Sequence, residues 1–254
     1  MYVKVNYRNM NTQLFSGRAE DYFAARPSYP AAAAEWLSCR VPTGRAADIG
    51  AGTGIFTRTL LKKFPSVIAV EPNADMRKIF LQNLPSVPCL DTCAEATGIE
   101  KSSVALVTCA QAFHWFDEEK FKAECQRILV SGGKIAIIWN NPVKDDFTSE
   151  RDGVYKKLCP RFSRGYAGKR SAEEGDVFLR EVYLKNVEIV VFDNPFVMNE
   201  ETFIANMSSR SYAPERSSGV YVEFTEKLHK VFHRHAVNGK VVEKLQTQIY
   251  LGNI

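Results

Sequence analysis

Arg45-Ala46-Ala47-Asp48-Ile49-Gly50-Ala51-Gly52-Thr53-Gly54-Ile55-Phe56-Thr57 is the stretch on which the reading of this chain turns. A short apolar run leads into glycines at three alternate positions, and a helical pattern follows through Leu60, Leu61 and Phe64. A strand, a tight turn and a helix start present free backbone N–H groups to a ligand. Glycine suits such a turn because it takes positive φ without strain and lets the backbone come close to what it binds. The turn alone fits several nucleotides; the surrounding sequence decides among them.

Downstream of the turn, Ser66–Val70 is a second apolar strand after the stop at Pro65, and Asn73–Asn83 has helical spacing through Met76, Ile79 and Phe80. Val104–Ala110 and Lys134–Trp139 are near-continuous apolar strands, with a helix at Asp117–Leu129 between them whose first-turn acids suit the macrodipole. Upstream, Ser16–Ala25 and Ala31–Cys39 are expected helices. Strands alternating with helices predict a parallel sheet covered on both faces. Later come helices near 147–158 and 172–184, strands at Val187–Phe192 and Phe196–Met198, helices near 200–208 and 214–236, and a last strand near 241–251. The expected fold class is α/β: a Rossmann-like, seven-stranded, mostly parallel sheet with helices on both faces and a small helical cap. Residues 1–254 are expected to form one domain, with 141–186 as a polar, basic cap or lid inserted within it.

Composition sets bounds. A chain of 254 residues with 45% hydrophobic and 24% charged residues can bury one substantial core. A net charge of +4 argues against an extended nucleic-acid surface. No apolar run approaches the roughly 18 residues of a membrane span, and the N-terminus lacks a signal-peptide core. Six cysteines stand singly without metal-ligand spacing, as reduced packing residues do. A cytoplasmic protein with no membrane association and no metal is expected.

The glycine spacing narrows the ligand. A dinucleotide fingerprint needs G-x-G-x-x-G, but its third glycine position here is Ile55, and no G-K-[ST] follows for a P-loop. Glu71, at the end of the second strand in Ala69-Val70-Glu71-Pro72, is placed to accept the hydroxyls of a ribose.

Taken together, these segments resemble the class I S-adenosylmethionine-dependent methyltransferases of the methyltransferase type 11 group. Asp48-x-Gly50-x-Gly52-x-Gly54 matches the first motif of that family, with Ala51 in place of its usual cysteine. Val70-Glu71-Pro72-Asn73 with Met76 matches the second, and Thr92-Cys93-Ala94-Glu95 stands where the family writes G-x-A-E. Ala110-Gln111-Ala112-Phe113-His114-Trp115-Phe116 and Leu129-Val130-Ser131-Gly132-Gly133 match later segments. Tyr22-x-x-x-Arg26-Pro27-x-Tyr29-Pro30, Ser209-Arg210-Ser211-Tyr212-Ala213-Pro214 and Tyr250-Leu251-Gly252 are similar to the trans-aconitate methyltransferase-like subgroup. Residues 141–186 match no named motif.

The resemblance implies S-adenosylmethionine as cofactor, lying across the carboxyl ends of the strands. Gly50, Ala51 and Gly52 would approach its methionyl part, with Asp48 ordering the loop. Glu71 would hold the ribose. Pro72 would contact the cofactor, Asn73 or Met76 would flank the adenine, and the backbone around Cys93 and Ala94 would read its edge, with Glu95 near its amino group. Ala110 and Gln111 would meet the methionyl end, and Tyr22 and Arg26 would close over the cofactor carboxylate or the substrate. His114 is the one candidate base in the motif region, or else a packing residue at the following helix start. Phe113 and Trp115, with Phe116, would wall the substrate pocket or else pack in the core, and Arg161 and Arg164, with Lys169 and Arg170, would form a basic lid or else a solvated insertion. The partner is expected to be a small molecule, of which a carboxylate needs no general base at neutral pH. Nucleic-acid or protein methylation and a non-catalytic binding module are the alternatives; an N-P-P-Y-like motif is missing after the fourth strand, and nothing in the cofactor motifs is broken. His229 and His233 share an i,i+4 helical spacing, but the sequence puts no further ligand beside them.

Overall fold

The computed structural model describes residues 25–160, 162 and 170–254. Tyr22, Arg161, Arg164 and Lys169, and the expected helix from Ser16 except its last residue, lie outside the described residues.

The four-residue strand β1 (Ala46–Ile49) is wholly buried and forms the centre of a seven-stranded sheet. Its neighbours are β2 (Val67–Val70) and β4 (Val104–Ala110), both parallel to it. Beyond β2 lies the short β3 (Cys89–Leu90), and beyond β4 lies β5 (Leu129–Pro142). Then come β9 (Leu245–Asn253) and the edge strand β6 (Lys185–Asp193), giving the order β3-β2-β1-β4-β5-β9-β6. Only β9 runs against the rest: it pairs antiparallel with β5 and with β6. The strand order reverses between β1 and β4, so a crevice opens there at the carboxyl ends.

Alternation along the strands sorts the core into two faces. Ala47, Ile49, Val107, Cys109, Ile135 and Ile137 point to one side. There they meet Phe121, Cys125 and Ile128 of α4 (Glu118–Ile128). Ala46, Leu106, Ala136 and Ile138 point to the other. They pack on α1 (Ala31–Ser38), α2 (Ile55–Leu60) and α3 (Ala74–Asn83). A third apolar cluster joins α5 (Asp146–Leu158), α7 (Glu200–Ser208) and α8 (Val220–His235). It also takes Met198 of β7 (Phe196–Met198) and Val241 of β8 (Val241–Glu243), which form a two-stranded antiparallel sheet of their own.

Three elements depart from the sequence expectation. The single closing strand is two, since β8 leaves to pair with β7 before β9 enters the main sheet. The helix expected at 172–184 is α6 (Ala172–Val177) followed by a π-helical turn, Phe178–Tyr183. Leu179 and Tyr183, four residues apart and so on one face, both enter the core under β4 and β5. The long helix starts at Val220 rather than near 214, after the turns around Pro214.

Candidate active site

After Ile49 the chain turns through Gly50, Gly52 and Gly54 at φ of 71°, 57° and 86°. A Cβ at Gly50 would lie 2.7 Å from the Ala112 Cβ, so the turn packs directly on the segment leaving β4. A Cβ at Gly52 would meet no atom within 4 Å and would project into open space. Glu71, at the end of β2, reaches across to this turn. One carboxylate oxygen accepts from the Gly52 N–H and the other from the Asn73 N–H, both at 2.8 Å. Each bond uses one acceptor position of the carboxylate and leaves about two for a ligand. Burial pushes the Glu71 carboxyl up, while those two backbone donors and Arg77 pull it back.

Asp48 sits beneath the turn at 1% exposure. Its oxygens accept from Thr57 Oγ1 at 2.6 Å and Thr108 Oγ1 at 3.0 Å, tying β1 to α2 and to β4. Burial raises its carboxyl to about 6 despite those donors. Asn73 caps α3 by accepting from the Met76 N–H at 2.9 Å, which seats the buried Met76 beside Pro72. On the other side Gln111 follows β4 with a φ of 56°, its backbone held by the Ile138 carbonyl at 2.9 Å. Its side-chain amide donates to the Asn140 carbonyl at 3.2 Å. A side-chain-bearing residue in the left-handed region at a strand end is a feature that concentrates at functional sites.

These groups line one cleft of ≈1330 Å3 at the β1/β4 crevice. It brings together Asp48, Gly50, Ala51, Gly52, Glu71, Pro72, Met76, Cys93, Ala94, Glu95, Ala110, Gln111, Arg26 and Trp115. Arg26 borders it with its guanidinium bonded to Ser209 Oγ at 3.1 Å and to the Ser209 carbonyl at 3.3 Å. Arg170 borders it too, bidentate to Glu118 at 2.6 and 2.9 Å and stacked 3.6 Å from the centre of the Phe178 ring. Two expected residues stay outside the cleft. Phe113 is wholly buried against Phe121 and Tyr183, because the turn of Phe113–Trp115 winds its ring down into the core as β4 ends. His114 stacks on Trp139 with ring centres 5.3 Å apart and packs on Trp115. Asn140, Tyr29 and Thr53 also line the cleft, although no sequence motif marks them as ligand contacts.

The lining fits an adenosyl sulfonium donor. The open face of Gly52 leaves room for close approach, and Glu71 retains acceptor positions for ribose hydroxyls. Thr53 holds a buried hydroxyl with no partner among the described residues. A cleft larger than the roughly 300–1,000 Å3 of ordinary ligand pockets leaves room for a second reactant. His229 and His233 do meet a carboxylate, Glu200, at 2.7 and 2.9 Å, but no metal-holding group of three or more ligands occurs among the described residues.

Comparison with known proteins reaches the same place. Residues 47–137 match the family model described as "Methyltransferase domain". An uncharacterized methyltransferase-like protein of Schizosaccharomyces pombe is 34% identical over 163 residues, covering 60% of this chain and 63% of its own length. An uncharacterized methyltransferase of Mycobacterium tuberculosis is 36% identical over 126 residues, covering 50% and 51%. The chain thus spans about half to just under two thirds of these relatives. A solved structure from Anaeromyxobacter dehalogenans, named as a candidate type II methyltransferase, superposes with a TM-score of 0.69 at 23% identity, covering 90% of this chain and 97% of that one. That likeness concerns the fold. Asp48, Gly50, Gly52, Glu71, Cys93, Ala94, Glu95, Ala110 and Gln111 border one cleft, and residues 47–137, the stretch that matches the methyltransferase domain model, span it from β1 to β5.

Proposed function

We propose that this chain transfers a methyl group from S-adenosylmethionine to a small-molecule acceptor. The observation that carries the reading is Glu71 bonded to Gly52 across the β1/β2 strand ends, an acid with acceptor capacity left, set against an open glycine turn. The donor, when bound, supplies a methyl carbon on a sulfonium leaving group. The work left to the protein is alignment and a site from which water is excluded. In this reading Glu71 accepts from the ribose, and Gly50, Ala51 and Gly52 hold the methionyl part above Asp48. Pro72, Met76 and the segment Cys93-Ala94-Glu95 enclose the adenine. Ala110 and Gln111, at the end of β4, orient the reactive end, and Trp115 walls the acceptor side. Tyr22 is assigned with Arg26 to the closing of the cleft on the strength of the motif that joins them.

The acceptor is read as a metabolite, carboxylates included, rather than nucleic acid. Arg26 supports that preference, because a guanidinium at the cleft suits a carboxylate, and a carboxylate acceptor needs no base. His114, packed among tryptophans, is then not required as one. In this reading 141–186 works in two parts, α5 within the helical cap and the segment from Arg170 onward at the cleft; Arg161 and Arg164 are assigned to a basic lid on their sequence clustering alone. Six free thiols support action in a reducing cytoplasm.

The test is calorimetry with S-adenosylhomocysteine, followed by a screen of carboxylate, amine and hydroxyl acceptors for its release from S-adenosylmethionine. Wild-type chain is expected to bind, and Glu71→Ala to weaken binding about tenfold to a hundredfold, the loss of charge-assisted bonds to the ribose. Absence of binding by wild type at high micromolar ligand would sink the donor reading. Turnover of amines alone would sink the carboxylate preference.

A further inference from the structure

The wall of the cleft from Asp91 to Glu95 belongs to no long element. Between β3 and β4 its internal backbone pairing is a single bridge, Cys93 with Ala96. Such a segment has to be held from outside, and α4 holds it at two points. At the N-terminal end of α4, Glu95 accepts from the Asp117 N–H at 2.9 Å. About two turns along, Glu124 holds Thr97, which is wholly buried. A single oxygen of Glu124 accepts both the Thr97 N–H, at 2.8 Å, and the Thr97 hydroxyl, at 2.5 Å.

Thr97 spreads that hold through the loop. Its hydroxyl oxygen accepts from the Ile99 N–H at 3.1 Å, and its carbonyl accepts from Thr92 Oγ1 at 2.8 Å. Thr92 is itself on the cleft wall, next to Cys93. Glu124 is fixed in turn by Arg127, whose Nε and Nη2 donate to its two oxygens at 2.8 and 2.7 Å. The same Nη2 also donates to the Ile99 carbonyl at 2.7 Å. The Arg127 bonds hold the Glu124 carboxyl below its ordinary range, so it stays ionised although only 7% exposed. A buried carboxylate is costly unless paired, and a helix interior has no need of one. Apart from the Arg127 pair, its bonds leave the helix for one loop, the loop that borders the cleft.

We propose that Glu124 is a positioning residue for the nucleoside end of the cleft, acting through Thr97 to set the backbone of Thr92-Cys93-Ala94-Glu95. The inference rests on the donor reading above and assigns to it a residue no motif marks. Glu124 itself does not border the cleft, so its substitution alters binding only by letting that wall move.

Wild type, Glu124→Ala, Glu124→Gln, Thr97→Val and Thr97→Ser are titrated with S-adenosylhomocysteine and with S-inosylhomocysteine, whose base carries an oxo group in place of the amino group. Glu124→Ala and Thr97→Val are expected to weaken S-adenosylhomocysteine about tenfold, the size of one charge-assisted hydrogen bond. They should also reduce the preference for the adenine over the hypoxanthine ligand. Glu124→Gln keeps an acceptor oxygen and Thr97→Ser keeps the hydroxyl, so both should stay within about threefold of wild type. If Glu124→Ala does not fold, Thr97→Val, which keeps shape and burial, carries the test. A lower melting temperature with unchanged base preference in Thr97→Val overturns the positioning role. Failure of wild type to bind either ligand overturns the donor reading and this inference with it.

Discussion

Asp48 holds a proton at a pH where an ordinary aspartate has lost it. Burial raises its carboxyl from 3.8 to about 6, and the hydroxyls of Thr57 and Thr108 recover only part of the cost. The unfolded chain therefore releases this proton near pH 4 and the folded chain near pH 6. Between those values the folded state binds more protons, so its stability falls as pH rises, by a total of about 3 kcal/mol for this group. Glu71 is shifted in the same direction by its own burial and adds to the slope. Urea unfolding of wild type against Asp48→Asn should show a shallower decline from pH 4 to 6 in the variant, since an amide stays neutral throughout. Binding of a cationic sulfonium donor favours ionised Asp48, so titration at pH 5.5 in buffers of different ionisation enthalpy should reveal proton release in wild type and less in the variant. Asp48, Gly52 and Glu71 are legible in the sequence because a tight turn and the strand-end acid beside it are set within short stretches of chain. Glu124 and Asn140 are not. Their partners, Thr97 in one case and Ser28, Asn194 and Thr247 in the other, arrive from distant parts of the chain.

The turn from β4 into α4 shows where pattern reading fails. Phe113, His114, Trp115 and Phe116 are consecutive aromatic rings, and a run with no polar interruption carries no period from which to read facing. The backbone decides: its tight turn buries Phe113, stacks His114 on Trp139 and leaves Trp115 at the cleft. Phe113→Ala should thus act on stability. Its ring lies 4.9 Å from that of Tyr183 and 6.2 Å from that of Phe121, and removing it opens a cavity costing about 3–5 kcal/mol. Among molecules that remain folded, S-adenosylhomocysteine affinity should fall less than it does in Glu71→Ala, because the Phe113 ring points into the core and does not border the cleft. Trp115→Ala should do the reverse, losing less stability and more turnover once an acceptor is in hand. Equal effects of the two on turnover would mean that the aromatic run works as one unit. The π-helical turn at Phe178–Tyr183 is the same lesson in a helix. The i,i+4 spacing of Leu179 and Tyr183 foretells their shared inward face, but nothing in the sequence marks the π-helical winding between them.

The sheet and the α5–α7–α8 cluster have separate cores, and the segment just after Ala25 is stitched to both. The Ser28 carbonyl accepts from Asn194 at 2.7 Å and Asn140 at 3.4 Å on the sheet side. The Ala25 carbonyl accepts from Asn206 at 2.5 Å, and Arg26 bonds Ser209, both at α7. Within that cluster lies a set of buried charges that the cleft does not use. Arg151 is paired with Asp152 at 2.7 Å and in direct contact with Glu243, which is 1% exposed; Arg210 stands 4.0 Å from the far oxygen of Glu243. A buried pair of this kind stabilises little relative to apolar residues of the same shape, yet breaking it strands a charge. Arg151→Met should therefore cost about 3–5 kcal/mol, because Arg210 at 4.0 Å is a poor substitute for a partner in direct contact. Arg151→Met with Glu243→Leu should recover part of that loss, since the double change removes the Glu243 carboxylate while Asp152 still lacks its Arg151 bonds. Urea denaturation of wild type, both single variants and the double variant gives the coupling energy directly. S-adenosylhomocysteine affinity should be retained by the double variant if the cluster serves as scaffold. A double variant that is stable yet has lost ligand affinity would show instead that these charges hold the segment after Ala25 against the cleft.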